Sequence, residues 1–217
     1  LFARFEPGIQ RSSLSSFAEA SPYIMTDVRL RHQMDRINFS FGAEADFSRM
    51  IHTRLYLNYT QSENMPIFVD PLVLGVWNVV YFGTTRIVSV NGEVYADITD
   101  EDNLGGSFSI RTNSNSSTNN SIPYFPSFLA SMAYQHRFPF GLSIGATMQM
   151  VGRQYTDLAE SRSLSGFAVL DVKAEYSILP RWNVVLMLGN LFDQKQTWWQ
   201  GYSGLGRSVS LGTSFAW

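Results

Sequence analysis

Cysteine is absent from the 217 residues, which excludes disulfide bonds, thiol chemistry and cysteine-ligated metals. Charged side chains are scarce, at 16% of the residues, whereas about a quarter is usual in soluble domains. The net charge is -2 and no basic stripe is present, so nucleic acid is excluded as a partner. No run of about 18 apolar residues occurs, which excludes an ordinary transmembrane helix.

Lysine is rare even among the basic residues. The sequence contains fourteen arginines but only two lysines, Lys173 and Lys195. Arginine pairs with carboxylates in a fixed bidentate geometry, so a wet, charged interior would favour it over lysine. A general compositional bias explains the imbalance equally well, and the sequence leaves both explanations open.

Motifs for catalysis and metal binding are missing. The three histidines, His32, His52 and His136, fall on separate predicted strands without the spacing of metal ligands. No GxSxG sequence is present to hold a serine nucleophile. The acidic cluster at residues 97–102 lacks the spacing of an EF-hand, so a solvated turn is the better interpretation. We therefore predict no enzyme activity, no metal and no cofactor.

What the sequence does contain is strict alternation of apolar and polar residues. From Arg207 to the last residue, small polar side chains alternate with an apolar set made up of Val209, Leu211, Thr213, Phe215 and Trp217. Similar alternation runs through residues 37–47, 52–60, 85–97, 127–137, 142–150 and 168–176. A period of two predicts β-strands and fits no helix. Residues 61–82, interrupted by Pro66 and Pro71, are expected to form a loop flanked by imperfect strand.

The predicted connections alternate in length. Tight turns are expected at Met34-Asp35 and at residues 138–140 and 179–181, and long polar loops at residues 111–126, 155–166 and 195–206. Short turns on one side and long loops on the other are typical of an outer-membrane barrel. Aromatic residues near the tight turns would then lie at one membrane interface, namely Tyr134, Phe138, Phe140, Tyr176, Trp182, Phe215 and Trp217.

The predicted fold is therefore all-β, a transmembrane antiparallel up-and-down β-barrel rather than a soluble sandwich. The predicted strands are about 10 to 14 residues long, enough to cross a bilayer while tilted. We count about 10 to 12 strands, and we treat residues 1–217 as one barrel segment without a plug domain. If the alternation holds, His52 faces the lumen.

Residues 122–217 resemble the C-terminal end of a TonB-dependent outer-membrane receptor. The matching pieces are residues 122–138, 141–157, 166–195 and 201–217, and residues 83–98 match more loosely. The most specific feature is the NLFD box, Asn190 to Asp193, which ends the penultimate strand ahead of a glycine-rich loop. Asn190 and Asp193 are expected to shape the strand end rather than bind substrate.

The resemblance implies a receptor in the outer membrane of a Gram-negative-type bacterium, with a plug inside a 22-stranded barrel. Such receptors import siderophores, cobalamin, haem or glycans, using energy relayed by the TonB complex. The implied partners are that complex, reached through a plug outside this chain, the lipid bilayer, a small-molecule substrate and the outer-membrane assembly machinery. That machinery would recognise the last strand through Val209, Leu211, Phe215 and Trp217.

Three questions stay open at this stage. The chain is expected to be part of a longer receptor, but a small autonomous barrel, acting as a passive channel or a structural scaffold, fits the same pattern. An outer-membrane lipase or protease is a third class, disfavoured by the missing nucleophile motif. Trp198, Trp199 and Tyr202 in the last long loop are candidates for stacking on a sugar or an aromatic siderophore, or else they pack among loops.

Overall fold

The computed structural model describes residues 1–5, 8–10, 33–73 and 76–215. These residues form fifteen strands. Their bounds are β1 Phe2–Phe5, β2 Gly8–Gln10, β3 Gln33–Ser48, β4 Ile51–Val73, β5 Val76–Asp97, β6 Asp102–Asn115, β7 Phe128–Arg137, β8 Leu142–Val151, β9 Gln154–Tyr155, β10 Ser163–Leu164, β11 Phe167–Leu179, β12 Trp182–Gly189, β13 Thr197–Trp199, β14 Tyr202–Ser203 and β15 Ser208–Phe215.

One large antiparallel sheet carries the fold, and its long strands follow one another in chain order from β3 to β8 and then through β11 and β12 to β15. β1 pairs with the middle of β3 and β2 with its beginning, so together they occupy one position at the edge. The β9–β10 and β13–β14 pairs are small hairpins inside loops. Among the described residues the sheet ends at β1 and β15 and does not close. The predicted up-and-down β architecture is confirmed.

The register divides the sheet into two faces, because residues directly opposite each other on neighbouring strands point the same way. One face, here called the apolar face, carries Phe41, Leu57, Val90, Ile110, Met132, Met148, Leu170, Leu188 and Val209. The opposite, polar face carries Glu44, Arg54, Glu93, Ser107, Ser131 and Gln149 in one cross-sheet row.

In mid-strand the apolar face stays exposed. Phe41, Leu55 and Leu211 keep 52%, 56% and 74% of their surface exposed. The two buried hydrophobic clusters lie at the long-loop end of the sheet, around Ile122 and around Phe167. A soluble sandwich would bury its apolar face, so this distribution is typical of a sheet whose apolar face meets lipid.

The turns and loops segregate to opposite ends of the sheet. Tight turns lie at residues 49–50, 98–101, 138–141 and 180–181, while residues 116–127, 152–166 and 190–207 form long loops at the other end. The turns predicted at 138–140 and 179–181, and the acidic turn after Asp97, are confirmed. No helix in the described ranges is both long enough and apolar enough to cross a membrane.

Two predicted connections are wrong. Met34 and Asp35 lie inside β3, where the register shifts between Asp35 and Ile37, so a β-bulge stands where a tight turn was expected. Residues 61–73 and 76–82 are strand rather than loop, because β4 and β5 pair with each other through them. Pro66 is tolerated because β3 pairs with β4 only as far as Glu63, so β4 has a single described neighbour there.

Candidate ligand-facing surface

The long loops contact one another and form a cap at their end of the sheet. The side-chain amide of Asn120 donates to the carbonyl oxygen of Leu158 at 2.8 Å. The backbone N–H of Tyr124 donates to the carbonyl oxygen of Tyr155 at 2.7 Å. Ile122 is 2% exposed and packs with Ile67 and Phe82. The loop at 116–127 is therefore fixed to both its neighbouring loop and the β4–β5 hairpin.

Asn190 organises the loop at 190–207. Its side chain is buried, and its amide nitrogen donates to the carbonyl oxygens of Gln194 at 2.8 Å and Leu205 at 3.1 Å. Its side-chain oxygen accepts from the Gln194 N–H at 2.8 Å. Asp193 accepts from the Arg207 N–H at 2.7 Å. The prediction that Asn190 and Asp193 shape the strand end is confirmed.

Trp198 leaves this loop and lies over the polar face. Its ring meets Phe167 edge-on, with centroids 5.2 Å apart, and Phe167 belongs to the polar face through its pairing with Val151. The buried side chain of Gln154 donates to the Trp198 carbonyl oxygen at 2.8 Å. Trp198 nevertheless keeps 41% of its surface exposed. The ring is thus held in place without being buried.

Trp199 and Tyr202 have different surroundings. The Trp199 ring lies 4.6 Å from the ring of Tyr124, between two of the long loops. Tyr202 pairs with Trp199 in the β13–β14 hairpin and is half exposed. The structure therefore separates the three predicted aromatic residues. Only Trp198 reaches the polar face, and ligand contact by any of the three stays a prediction.

Beneath Trp198, two cross-sheet rows of the polar face form a depression of about 360 Å³, here called the Trp198 cleft. One row runs from Tyr56 through Asn91 and Ser109 to Leu129 and Val151. The next row contributes Glu93, Ser107, Ser131 and Gln149. The sequence showed which residues face this side, but the position of Trp198 could not be seen in it.

Comparison with known proteins adds a structural identification. No protein-family model and no curated protein matches the sequence. Solved structures do match. The siderophore receptor PiuA from Acinetobacter baumannii superposes with a TM-score of 0.75 at 16% identity, over 98% of this chain and 33% of that one. The pyoverdine outer membrane receptor FpvA from Pseudomonas aeruginosa gives 0.71 at 13% identity, over 99% and 33%.

The ferric-catecholate import receptor Fiu from E. coli matches with a TM-score of 0.70 at 18% identity, over 98% of this chain and 32% of that one. The chain has the fold of the C-terminal barrel portion of TonB-dependent outer-membrane receptors. It spans about a third of the length of these receptors. In a barrel of this kind the tight turns face the periplasm, the long loops face outward and the polar face lines the lumen.

The polar face has a charged zone towards the tight-turn end of the sheet. Arg54 donates to Glu44 at 2.7 Å and reaches Glu93 at 3.4 Å. His52 lies 2.7 Å from Asp46 on the polar face, the side predicted to line the lumen. Nearer the outer loops the face carries amides and hydroxyls instead, for example Ser40, Asn58, Ser89 and Asn91.

The tight-turn end of the sheet carries the predicted aromatic residues. Phe138 and Phe140 lie in one tight turn, with ring centroids 5.3 Å apart, and Trp182 and Phe215 are directly opposite each other. The Trp182 indole N–H donates to the Thr213 hydroxyl at 2.7 Å. Trp217 lies outside the described residues. A girdle of aromatic residues at the interface is characteristic of outer-membrane barrels.

A polar cluster lies at the same end of the sheet, and it could not be predicted without the pairing register of the strands. Asp102 and His136 lie directly opposite each other on β6 and β7, with Nδ1 of His136 2.7 Å from Oδ1 of Asp102. Tyr134 donates its hydroxyl to the same carboxylate, and Thr99 donates to its other oxygen at 2.8 Å. The cluster ties the turn at 98–101 to β7. In the described ranges no three His, Asp or Glu side chains come together as a metal site.

The predicted assembly signal lies on the open edge of the sheet. Val209, Leu211 and Phe215 are exposed on β15, which pairs only with β12 among the described strands. Trp217, the fourth residue of that signal, lies outside the described residues. Recognition of this strand by the assembly machinery stays a prediction.

Proposed function

We propose that residues 1–217 are one segment of the barrel of an outer-membrane receptor that takes up a scarce nutrient with energy relayed by the TonB complex. The main support is the structural match to receptor barrels along 98% of the chain, combined with an apolar face that stays exposed in the middle of the described strands. The nutrient would belong to the siderophore, cobalamin, haem or glycan class.

The two open edges support the need for further strands. β15 is exposed along its whole length, and β1 has one described neighbour. Unpaired backbone groups cost several kcal/mol each in hydrocarbon, so a sheet in the bilayer has to close. Additional strands of a 22-stranded barrel would pair with both edges, and the plug that contacts the TonB complex would lie outside these residues.

Ligand contact is assigned to the outer loop that carries Trp198, Trp199 and Tyr202. Its support is the position of this loop at the long-loop end, where a ligand would arrive from outside. Trp198 extends the contact surface from the loop onto the lumenal wall.

The proposal is tested by the intact mass of the protein extracted from its own membrane, followed by uptake measurements. Because the chain spans 33% of PiuA, a mass about three times that of the 217 residues is expected. Nutrient uptake by cells that express the protein should stop when the TonB protein is deleted. A mass matching the 217 residues, together with ion conductance in a planar bilayer, would instead support a small passive channel.

A further inference from the structure

We infer that the Trp198 cleft binds an uncharged, polyhydroxylated ring, such as a unit of a neutral oligosaccharide. The inference rests on the proposed function, because that function places the polar face in the lumen of an uptake receptor. It selects one class among the nutrients named above, and one site among the surfaces of the chain.

The first argument is the aromatic platform. Trp198 is held by the Phe167 ring and, through its backbone, by Gln154, yet the residue keeps 41% of its surface exposed. The support beneath it is a small core of Val151, Phe167 and Val169. A rigid ring loses little conformational entropy when a ligand arrives. The C–H face of a sugar ring can pack on such an exposed aromatic surface.

The second argument is the chemistry of the walls. Asn91, Ser109, Ser131 and Gln149 line the cleft. Side-chain amides and hydroxyls both donate and accept hydrogen bonds, as the hydroxyl groups of a sugar do. The side-chain amide of Asn91 donates to the Ser89 hydroxyl at 2.9 Å, and this hydrogen bond fixes the orientation of the amide. Ligand pockets combine an apolar surface with a few such polar groups, and about 300 Å³ is the lower end of their usual volume.

The third argument is charge. Glu93 is the charged side chain of the lining, and its carboxylate lies 3.4 Å from Arg54. The nearby Arg111 is engaged elsewhere, because it donates to the Pro126 carbonyl oxygen at 3.0 Å and lies 4.3 Å from the centre of the Phe125 ring. An anionic ligand would therefore meet a carboxylate and no cation of the lining, which disfavours it.

The test uses the full-length protein that carries these residues, purified from its own outer membrane in detergent. Its binding is measured on an array of neutral oligosaccharides, with a ferric catecholate as the anionic comparator, and the strongest sugar is followed by calorimetry. We expect a neutral oligosaccharide to bind, with affinity about tenfold lower in Trp198→Ala. Trp198→Phe should retain most of the affinity, and Gln149→Ala should lose part of it.

Phe192→Ala is the matched control, because Phe192 is an exposed aromatic residue of the same loop outside the cleft. It should bind the sugar as the parent does. The inference is overturned if no neutral oligosaccharide binds, or if Trp198→Ala binds it as tightly as the parent. TonB-dependent uptake that persists in either case leaves the proposed function standing. Sugar binding without TonB-dependent uptake would support the cleft and contradict the proposed function.

Discussion

Leu186 of β12 lies directly opposite Leu211 of β15, and both side chains remain exposed, at 40% and 74% of their surface. Their neighbours Met187 and Ser210, one residue along, form the next pair on the opposite face. An exposed leucine pair would be a liability in water but is favourable against lipid. The alternation along β15 thus separates a small, polar face from an apolar face that suits contact with lipid, whereas β12 carries hydrophobic residues on both faces.

Replacing Leu211 by arginine tests this relationship. A cation facing lipid costs about 2–4 kcal/mol near the bilayer midplane, so Leu211→Arg should lower the free energy of unfolding in lipid vesicles by an amount in that range. Ser210→Arg, on the polar face, is the control and should cost much less. Equal losses of unfolding free energy in the two variants would mean that the two faces of β15 do not meet lipid and water, respectively.

Replacing Gly42 by alanine tests how closely the backbones of β3 and β4 approach each other. A Cβ atom at this position would lie 2.5 Å from both the Leu55 carbonyl oxygen and the Tyr56 Cβ, so the backbones of the two strands would have to separate. We expect Gly42→Ala to destabilise the protein by about 1–3 kcal/mol, the usual cost of overpacking. Gly105→Ala has no atom within 4 Å of the added carbon and serves as the control. Thermal unfolding in detergent followed by circular dichroism compares them.

The side-chain hydrogen bonds of Asn190 are expected to stabilise the loop at 190–207. Asn190→Ala removes the side-chain bonds to Gln194 and Leu205 and leaves their backbone groups without these partners. The loss should be about 1–3 kcal/mol, measured as faster amide hydrogen exchange across residues 190–207. Lys195→Ala, an exposed neighbour, should exchange at the parent rate. Unchanged exchange in the Asn190 variant would show that the loop is held by other contacts.

The carboxyl group of Asp157 is expected to determine how the loop at 152–166 responds to acid. Partial burial raises the pKa of its carboxyl, but hydrogen bonds from the Ser161 hydroxyl and the Arg162 N–H, with the charge of Arg162, outweigh burial and hold the pKa below 3.8. A carboxyl with a lowered pKa stabilises the folded loop above the pKa of the unfolded chain. That stabilisation is lost as the pH falls through the lower, folded value.

The protection factors of residues 152–166, which are exchange rates corrected for intrinsic exchange at each pH, should therefore stay high at neutral pH and fall only below about pH 4. Asp157→Asn should have lower protection factors above that pH and should not lose further protection on acidification. A parent loop that loosens already near pH 6 would indicate that another group controls it.

The sequence pattern predicted the strands whose two faces differ in polarity. Along residues 37–47 and along β15, apolar side chains alternate with small polar or charged ones, so the polarity of each residue indicates the face on which it lies. The β-bulge after Asp35 shifts that alternation by one residue, and in the sequence this looks like a corner. In residues 61–82 the alternation fades and Pro66 interrupts it, although β4 and β5 continue there as paired strands.

The candidate site was less accessible to such reasoning. Trp198 and Trp199 are adjacent in sequence, yet one lies over the lumenal wall and the other contacts Tyr124 between loops. The Asp102–His136 pair depends on the register of β6 against β7, which composition does not specify. Loop packing and register are set by contacts between distant residues, so a period-two pattern predicts the strands but not the site they support.

The most direct test of the barrel orientation exploits the absence of cysteine. Single cysteines are placed in turn at Val209, Ser210, Leu211, Gly212 and Thr213 of the full-length protein, in native outer membranes, after any cysteine outside these 217 residues has been replaced by serine. A water-soluble maleimide should label the cysteines at Ser210 and Gly212, on the lumenal face, and should spare Val209, Leu211 and Thr213. Labelling without a period of two, or with the opposite set modified, would contradict a wall that separates lipid from a wet lumen.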